Sequence, residues 1–204
     1  MKTRTHGSIR IAAALAVLAV LLGACVPGAV ADRGRTAIVL GVPSDALVPG
    51  AADGLHERLR AADTGFSFVP TVRARFLEVR RGLVDGMVTP GAARVARNTG
   101  AGLAVTIEAT TLVREIVDAD RSRPLQRTTL QLEVTILDAS DATELARLAG
   151  PRLRHERRID GPEPPALDED PAIATLRDRS LDELAPRVAR ELRTLAPVSG
   201  STVE

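Results

Sequence analysis

Two stretches of strict alternation, on either side of a polar segment, constrain the fold of this chain more than any other feature. Leu103, Val105, Ile107 and Ala109 alternate with Ala104, Thr106, Glu108 and Thr110, and Leu130, Leu132, Val134 and Ile136 alternate with Gln131, Glu133 and Thr135. Successive strand side chains point to opposite faces, so each stretch reads as a strand with one covered face. Residues 118–124 (DADRSRP) have the composition of a turn, which makes the pair an antiparallel hairpin. The first strand can continue to Val117, but Thr110-Thr111 shifts its phase and predicts a bulge there. Something apolar must cover the hairpin, and the candidates flank it.

Upstream, residues 36–42 (TAIVLGV) read as a buried strand and residues 51–62 as a helix with Ala51, Leu55, Leu59 and Ala62 on its inner face. Glu57, Arg58, Arg60 and His56 fall on the expected wet side. Residues 66–71 alternate as a short strand ended by Pro70, residues 72–83 form an Arg-rich helical stretch, and Thr89 caps a helix opening at Pro90. Downstream, residues 144–158 lean towards a last strand broken at Gly150-Pro151, and residues 161–171 form a proline-rich acidic loop. A final helix over 172–195 carries Ile173, Leu176, Leu181, Leu184, Val188, Leu192 and Leu195 as candidate core, with capping-box spacing at Ser180 and Glu183 and a kink or restart at Pro186. The order β-α-β-α-α-β-β-(β)-α predicts a single α/β (α+β) domain over 36–196. Its expected architecture is a mixed sheet with an antiparallel hairpin, helices packed on its faces and a C-terminal helix, followed by a loose tail at 197–204. The apolar fraction of 45% excludes disorder throughout.

The first residues form an address. Lys2, Arg4 and Arg10 precede a twelve-residue apolar run, 11–22, which as a helix would rise about 18 Å. That is well short of a hydrocarbon core of about 30 Å, and it fits a secretory h-region. The run ends in Leu22-Gly23-Ala24-Cys25, which resembles the lipobox of bacterial lipoproteins and contains the chain's single cysteine. The resemblance implies a lipoprotein signal peptide over 1–24, recognised by signal peptidase through Leu22, Gly23 and Ala24, and acyl chains on Cys25. Two or three such chains anchor stably where one holds only marginally. Residues 25–35 then serve as a flexible tether, and Val26 after Cys25 favours an outer membrane, facing the periplasm, where the cell has one. Without Lys2, Arg4 and Arg10 the chain has 24 basic and 26 acidic residues, a formal net of −2. That balance, with three Phe and no Trp or Tyr, excludes nucleic acid as a partner.

Taken with its local residues, the element order resembles a family of envelope α/β domains: the N-terminal domain of TolB, the soluble part of CsgG-type secretion lipoproteins, and LpoB-type activators of penicillin-binding proteins. Residues 36–40 match the opening strand, 54–59 the first helix, 68–75 a strand leading into an Arg-opened helix, 100–105 the entry to the central strand, and 130–139 the next hairpin arm. The likeness implies a domain that binds other proteins, with no catalytic residue or cofactor carried over. The opening strand lacks the family's following Pro-Phe, and no long amphipathic hairpin suited to a pore is present.

Candidate chemistry is sparse. His56 and His155 lack ligand spacing and read as solvated side chains, so no metal site is expected. Gly100-Ala101-Gly102 reads as a turn into a strand, not a phosphate cradle. Two arginine clusters, Arg73/Arg75/Arg80/Arg81 and Arg152/Arg154/Arg157/Arg158, read as solvated faces balanced by Glu78, Asp85 and Glu156, with an anion-facing surface as the alternative. The acidic loop 163–170 reads as a linker before a calcium loop. The expectation is a lipid-anchored, non-catalytic accessory or assembly factor with an envelope protein partner. Homo-oligomerisation of the CsgG type comes second, and a tethered enzyme or ligand carrier third.

Overall fold

The hairpin sets the frame on which every other element is placed. The computed structural model describes residues 35–41, 47–70, 88–118, 122–160 and 163–196, all within a compact unit spanning Arg33–Glu204. Strands β1 (Thr36–Gly41), β2 (Ser67–Phe68), β3 (Leu103–Val117), β4 (Leu125–Asp138), β5 (Glu144–Ala149) and β6 (Leu153–Arg158) are joined by helices α1 (Ala51–Ala61), α2 (Val88–Thr99) and α3 (Pro171–Leu195). The expected helical stretch at 72–83 and the tail at 197–204 lie outside the described residues.

β3 and β4 pair antiparallel from Leu103↔Asp138 to Val117↔Leu125. Ala109 faces Leu132 and Thr111 faces Gln131, which leaves Thr110 as the extra residue of the expected bulge. β4 starts at Leu125, three residues before the alternation suggests, because two of its inward positions carry the buried polar side chains of Gln126 and Thr128. β1 runs parallel to both β3 and β2, which gives the open mixed sheet the order β2-β1-β3-β4-β5. β2 is shorter than its alternation suggests; Val69 N–H still bonds Ala37 O, but Pro70 has no N–H to continue the ladder.

The stretch 144–158 resolves into two strands on the same edge of β4. β5 lies along Glu133–Leu137 and β6 along Leu125–Leu130. Gly150 joins them, its N–H on Leu132 O at 2.8 Å. A Cβ there would meet Leu184 Cδ1 at 2.9 Å and Leu132 O at 3.0 Å, so only glycine fits beneath α3.

Period-two geometry sends Val39, Val105, Leu132 and Ile136 to one face, where α1 and α3 cover them with Leu55, Leu59, Leu176 and Leu184. Ile38, Leu40, Ala104 and Leu137 point to the other face, beneath Ala92, Val95 and Ala96 of α2. α2 begins at Val88, so Thr89 lies inside the helix instead of capping it. The first helical N–H groups have no acceptor within the helix, so Pro90, which has no N–H, is tolerated in that turn.

Three expectations are corrected in the helices. His56 is buried in α1, its ring edge-on to Phe68 with centroids 6.0 Å apart, because β2 covers that side of the helix. Ser180 is a buried mid-helix residue and caps nothing. Pro186 sits within one 25-residue helix without ending it. Burial of Val188 and Leu192 beyond the proline is worth about 1.5–3 kcal/mol each, enough to offset the roughly 3 kcal/mol that an interior proline costs.

Candidate functional site

Leu22, Gly23, Ala24 and Cys25, the lipidation and processing residues expected from the sequence, lie outside the described residues, as does the cluster Arg73/Arg75/Arg80/Arg81. No helix among the described residues is long and apolar enough to cross a membrane. Within the domain, charge and polarity concentrate in two places.

The first is a buried node at Asp170, where the acidic loop meets α3. Its carboxylate is fully buried; Oδ1 accepts from Ala172 N at 3.0 Å as the N-cap of α3, with Pro171 as the first helical residue. Oδ2 accepts from Gln126 Nε2 at 2.6 Å and lies 3.0 Å from Arg114 Nη2. Arg157 Nη2 is 3.4 Å from Oδ1, and its Nε donates to Gln126 Oε1 at 3.2 Å. Gln126 also donates to Thr128 Oγ1, and Arg114 to the carbonyl of Pro165. One carboxylate thus ties together β3, β4, β6 and α3. Asp170 is therefore more than the end of a linker, and Arg157 turns inward, away from any solvated face.

The other three arginines of that cluster, Arg152, Arg154 and Arg158, are exposed. Arg154 pairs with Glu156, which also accepts from Arg127 Nε at 2.8 Å. Those bonds, Arg127's first, hold the Glu156 carboxyl below its ordinary range. Arg158 Nη1 donates to Arg123 O at 2.9 Å. Alongside, Arg147 bridges Glu144 at 2.6 Å and Glu133 at 3.1 Å, and its bond lowers the Glu144 carboxyl. His155 is half-buried on β6, far in the chain from His56 on α1, and no group of three or more metal-binding side chains forms among the described residues.

The second place is an open cleft of about 1020 Å³ at the end of the sheet where β3 begins and β4 ends. Phe66, Leu145 and Leu195 form its apolar wall, and Arg97, Asn98 and Asp138 its polar side. Arg97 Nη1 donates to Ser140 O at 2.6 Å, while Asp138 Oδ1 accepts from Ser140 N and Oγ at 2.7 and 2.6 Å. Both charges therefore hold the loop after β4. The turn entering β3 is equally committed: Gly100 N–H bonds Arg97 O, Ala101 N–H bonds Ala96 O and Gly102 N–H bonds Thr36 O. Gly100, at φ +79°, supplies the left-handed residue that ends α2. With its three amides in use the turn has none left for an anion, in line with the sequence reading.

Asp170, Arg114, Gln126, Arg97 and Asp138 were not singled out from sequence. The Asp-Pro pair at 170–171, a cap followed by a first-turn proline, was the available signal for the first of them.

No family model matches the chain, and no curated protein does. Among solved structures, lipoprotein GNA1162 from Neisseria meningitidis is 12% identical over 76% of this chain and 97% of its own, with a TM-score of 0.41. The PelC dodecamer protein from Paraburkholderia phytofirmans is 13% identical over 80% and 90%, at 0.36. A minor lipoprotein from Acinetobacter baumannii is 11% identical over 78% and 91%, at 0.34. Bacterial lipoproteins are thus among the structures this chain is similar to.

Proposed function

We propose that this chain is a lipid-anchored extracytoplasmic protein whose α/β domain acts as a non-catalytic, protein-binding accessory or assembly factor of the cell envelope. The observation that carries the reading is Leu22-Gly23-Ala24-Cys25, placed directly behind a twelve-residue apolar run and holding the chain's single cysteine. Cys25 takes the acyl chains, residues 25–35 are the tether, and the domain follows over 36–196, on the periplasmic side of an outer membrane. Ten Cα-to-Cα steps lead from Cys25 to Arg35, a reach of about 35 Å when extended, so the domain can contact proteins standing off the bilayer. The cleft offers a surface for such binding, its outline held by the bonds of Arg97 and Asp138 to Ser140.

Two experiments test this. In a bacterial host fed an alkyne-tagged palmitate, the wild-type chain should take up label and sediment with membranes, while Cys25→Ser is unlabelled and released. An unlabelled wild-type chain overturns the anchor. Cross-linking in intact envelopes should then join the anchored chain to a foreign protein in stoichiometric yield, and recovery of its own copies alone overturns the accessory role.

A further inference from the structure

Among the described residues β1 pairs with β3 as far as Ile107, and β3 continues ten residues further, to Val117. The pairing with β4 determines which main-chain groups of that extension face outward. Leu132 O accepts from Gly150 N–H, so Leu132 turns away from β3. Along β4 the same side recurs every second residue, at Leu130, Thr128 and Gln126, whose partners are Leu112, Arg114 and Ile116. The N–H and C=O groups of those three residues therefore point away from β4, and among the described residues they make no main-chain bond. Ala109 and Asp118 at either end are engaged, so the open edge is the stretch between them.

An edge of unpaired main-chain groups is a template for another strand. At its middle, Val113 is 41% exposed, one of three large apolar side chains exposed among the described residues. We propose that two copies of this chain pair through this edge, β3 antiparallel to β3, about a two-fold axis at Val113, so that the two sheets become one.

The local residues favour a second copy as the occupant. With the axis at Val113, Leu112 and the partner's Arg114 exchange two N–H···O=C bonds, and symmetry repeats them, making four. Thr111 falls opposite the partner's Glu115, and Val113 covers the partner's Val113, so no like charges meet directly. Glu115 keeps Arg127 Nη1, 3.5 Å away on its own chain. Arg114 presents its backbone to the partner while its guanidinium stays on Asp170. An axis one residue further along would set Arg114 against its own copy and Val113 against a glutamate. The pairing does not depend on acylation of Cys25.

Val113 and the partner's Val113 would form a non-hydrogen-bonded pair with Cα atoms about 4.5 Å apart, within the disulfide range of roughly 4.4–6.8 Å. The test uses the full chain with Cys25→Ser in detergent, so that one introduced cysteine is the only thiol. Val113→Cys should give a reductant-sensitive dimer under mild oxidation, whereas Leu47→Cys, at an exposed position off the edge, should not. In sedimentation, Val113→Lys should raise the dimer dissociation constant at least tenfold without changing the circular dichroism spectrum or the melting temperature measured at concentrations where both proteins are monomeric. A monomer at every concentration overturns the proposal. So does a dimer that Val113→Cys cross-links no better than Leu47→Cys.

Discussion

Replacing Asp170 with alanine tests whether the node holds the far half of the hairpin to α3. The substitution removes the N-cap acceptor of α3, worth about 1 kcal/mol, and leaves Gln126, Arg114 and Arg157 facing a space with no anion. Breaking a buried ion pair from one side costs about 3–5 kcal/mol, mostly from the stranded charge. The two losses overlap, because Arg114 retains the Pro165 carbonyl, so the expected total is about 3–5 kcal/mol. Against a domain stability of about 5–15 kcal/mol that is a large fraction. At about 2–4 °C per kcal/mol it lowers the melting temperature by roughly 6–20 °C. The chain has no Trp or Tyr, so the assay is urea unfolding followed by far-ultraviolet circular dichroism. Asp170→Asn keeps a cap acceptor and should recover about 1 kcal/mol. Adding Arg114→Met to Asp170→Ala should restore part of the loss, since the stranded cation leaves with it. A cost below about 1 kcal/mol, or strictly additive effects of the two substitutions, would refute the reasoning.

Burial, reinforced by Arg60, holds the His56 pKa below its ordinary 6.5, so the unfolded chain takes up a proton more readily than the folded one. Stability is complete above about pH 6.5 and falls as the pH drops through that value towards the depressed folded pKa. His56→Leu should flatten the difference between urea midpoints at pH 7.5 and 5.5, and an unchanged slope would remove His56 as its source. Pro186 has no N–H for Asp182 O, so Pro186→Ala should stabilise the domain by about 1–3 kcal/mol in the same unfolding assay. A loss of stability there would mean that the proline's shape is part of the packing.

The hairpin and its bulge were legible because both follow from local chemistry. Apolar side chains recur every second residue, and Thr110-Thr111 breaks the phase where one residue must be left unpaired. The first residues of β4 were not legible. Gln126 and Thr128 occupy core positions only because Asp170, more than forty residues away in sequence, satisfies Gln126. Polar residues inside a sheet read as surface until their partner is known. His56 fails for a related reason: α1's own spacing puts it on the wet side, and the packing of Phe68 then covers it. At Pro186 propensity predicts a kink or a restart, and the helix runs on without restarting because tertiary burial along α3 outweighs the cost of the proline.

The same long-range contact connects stability to the proposed association. Arg114 is fixed through its guanidinium by Asp170 and through its neighbours Val113 and Glu115, which pair with β4, while its own N–H and C=O face outward at the open edge. A strand end held by one neighbour alone would have to be ordered at the moment of pairing, and that cost would come out of the association free energy. Here the clamp under α3 orders the edge in advance, while β1 stops at Gly41 and leaves it uncovered among the described residues. The feature that makes Asp170 central to folding is thus the one that makes the far end of β3 rigid enough to serve as a template.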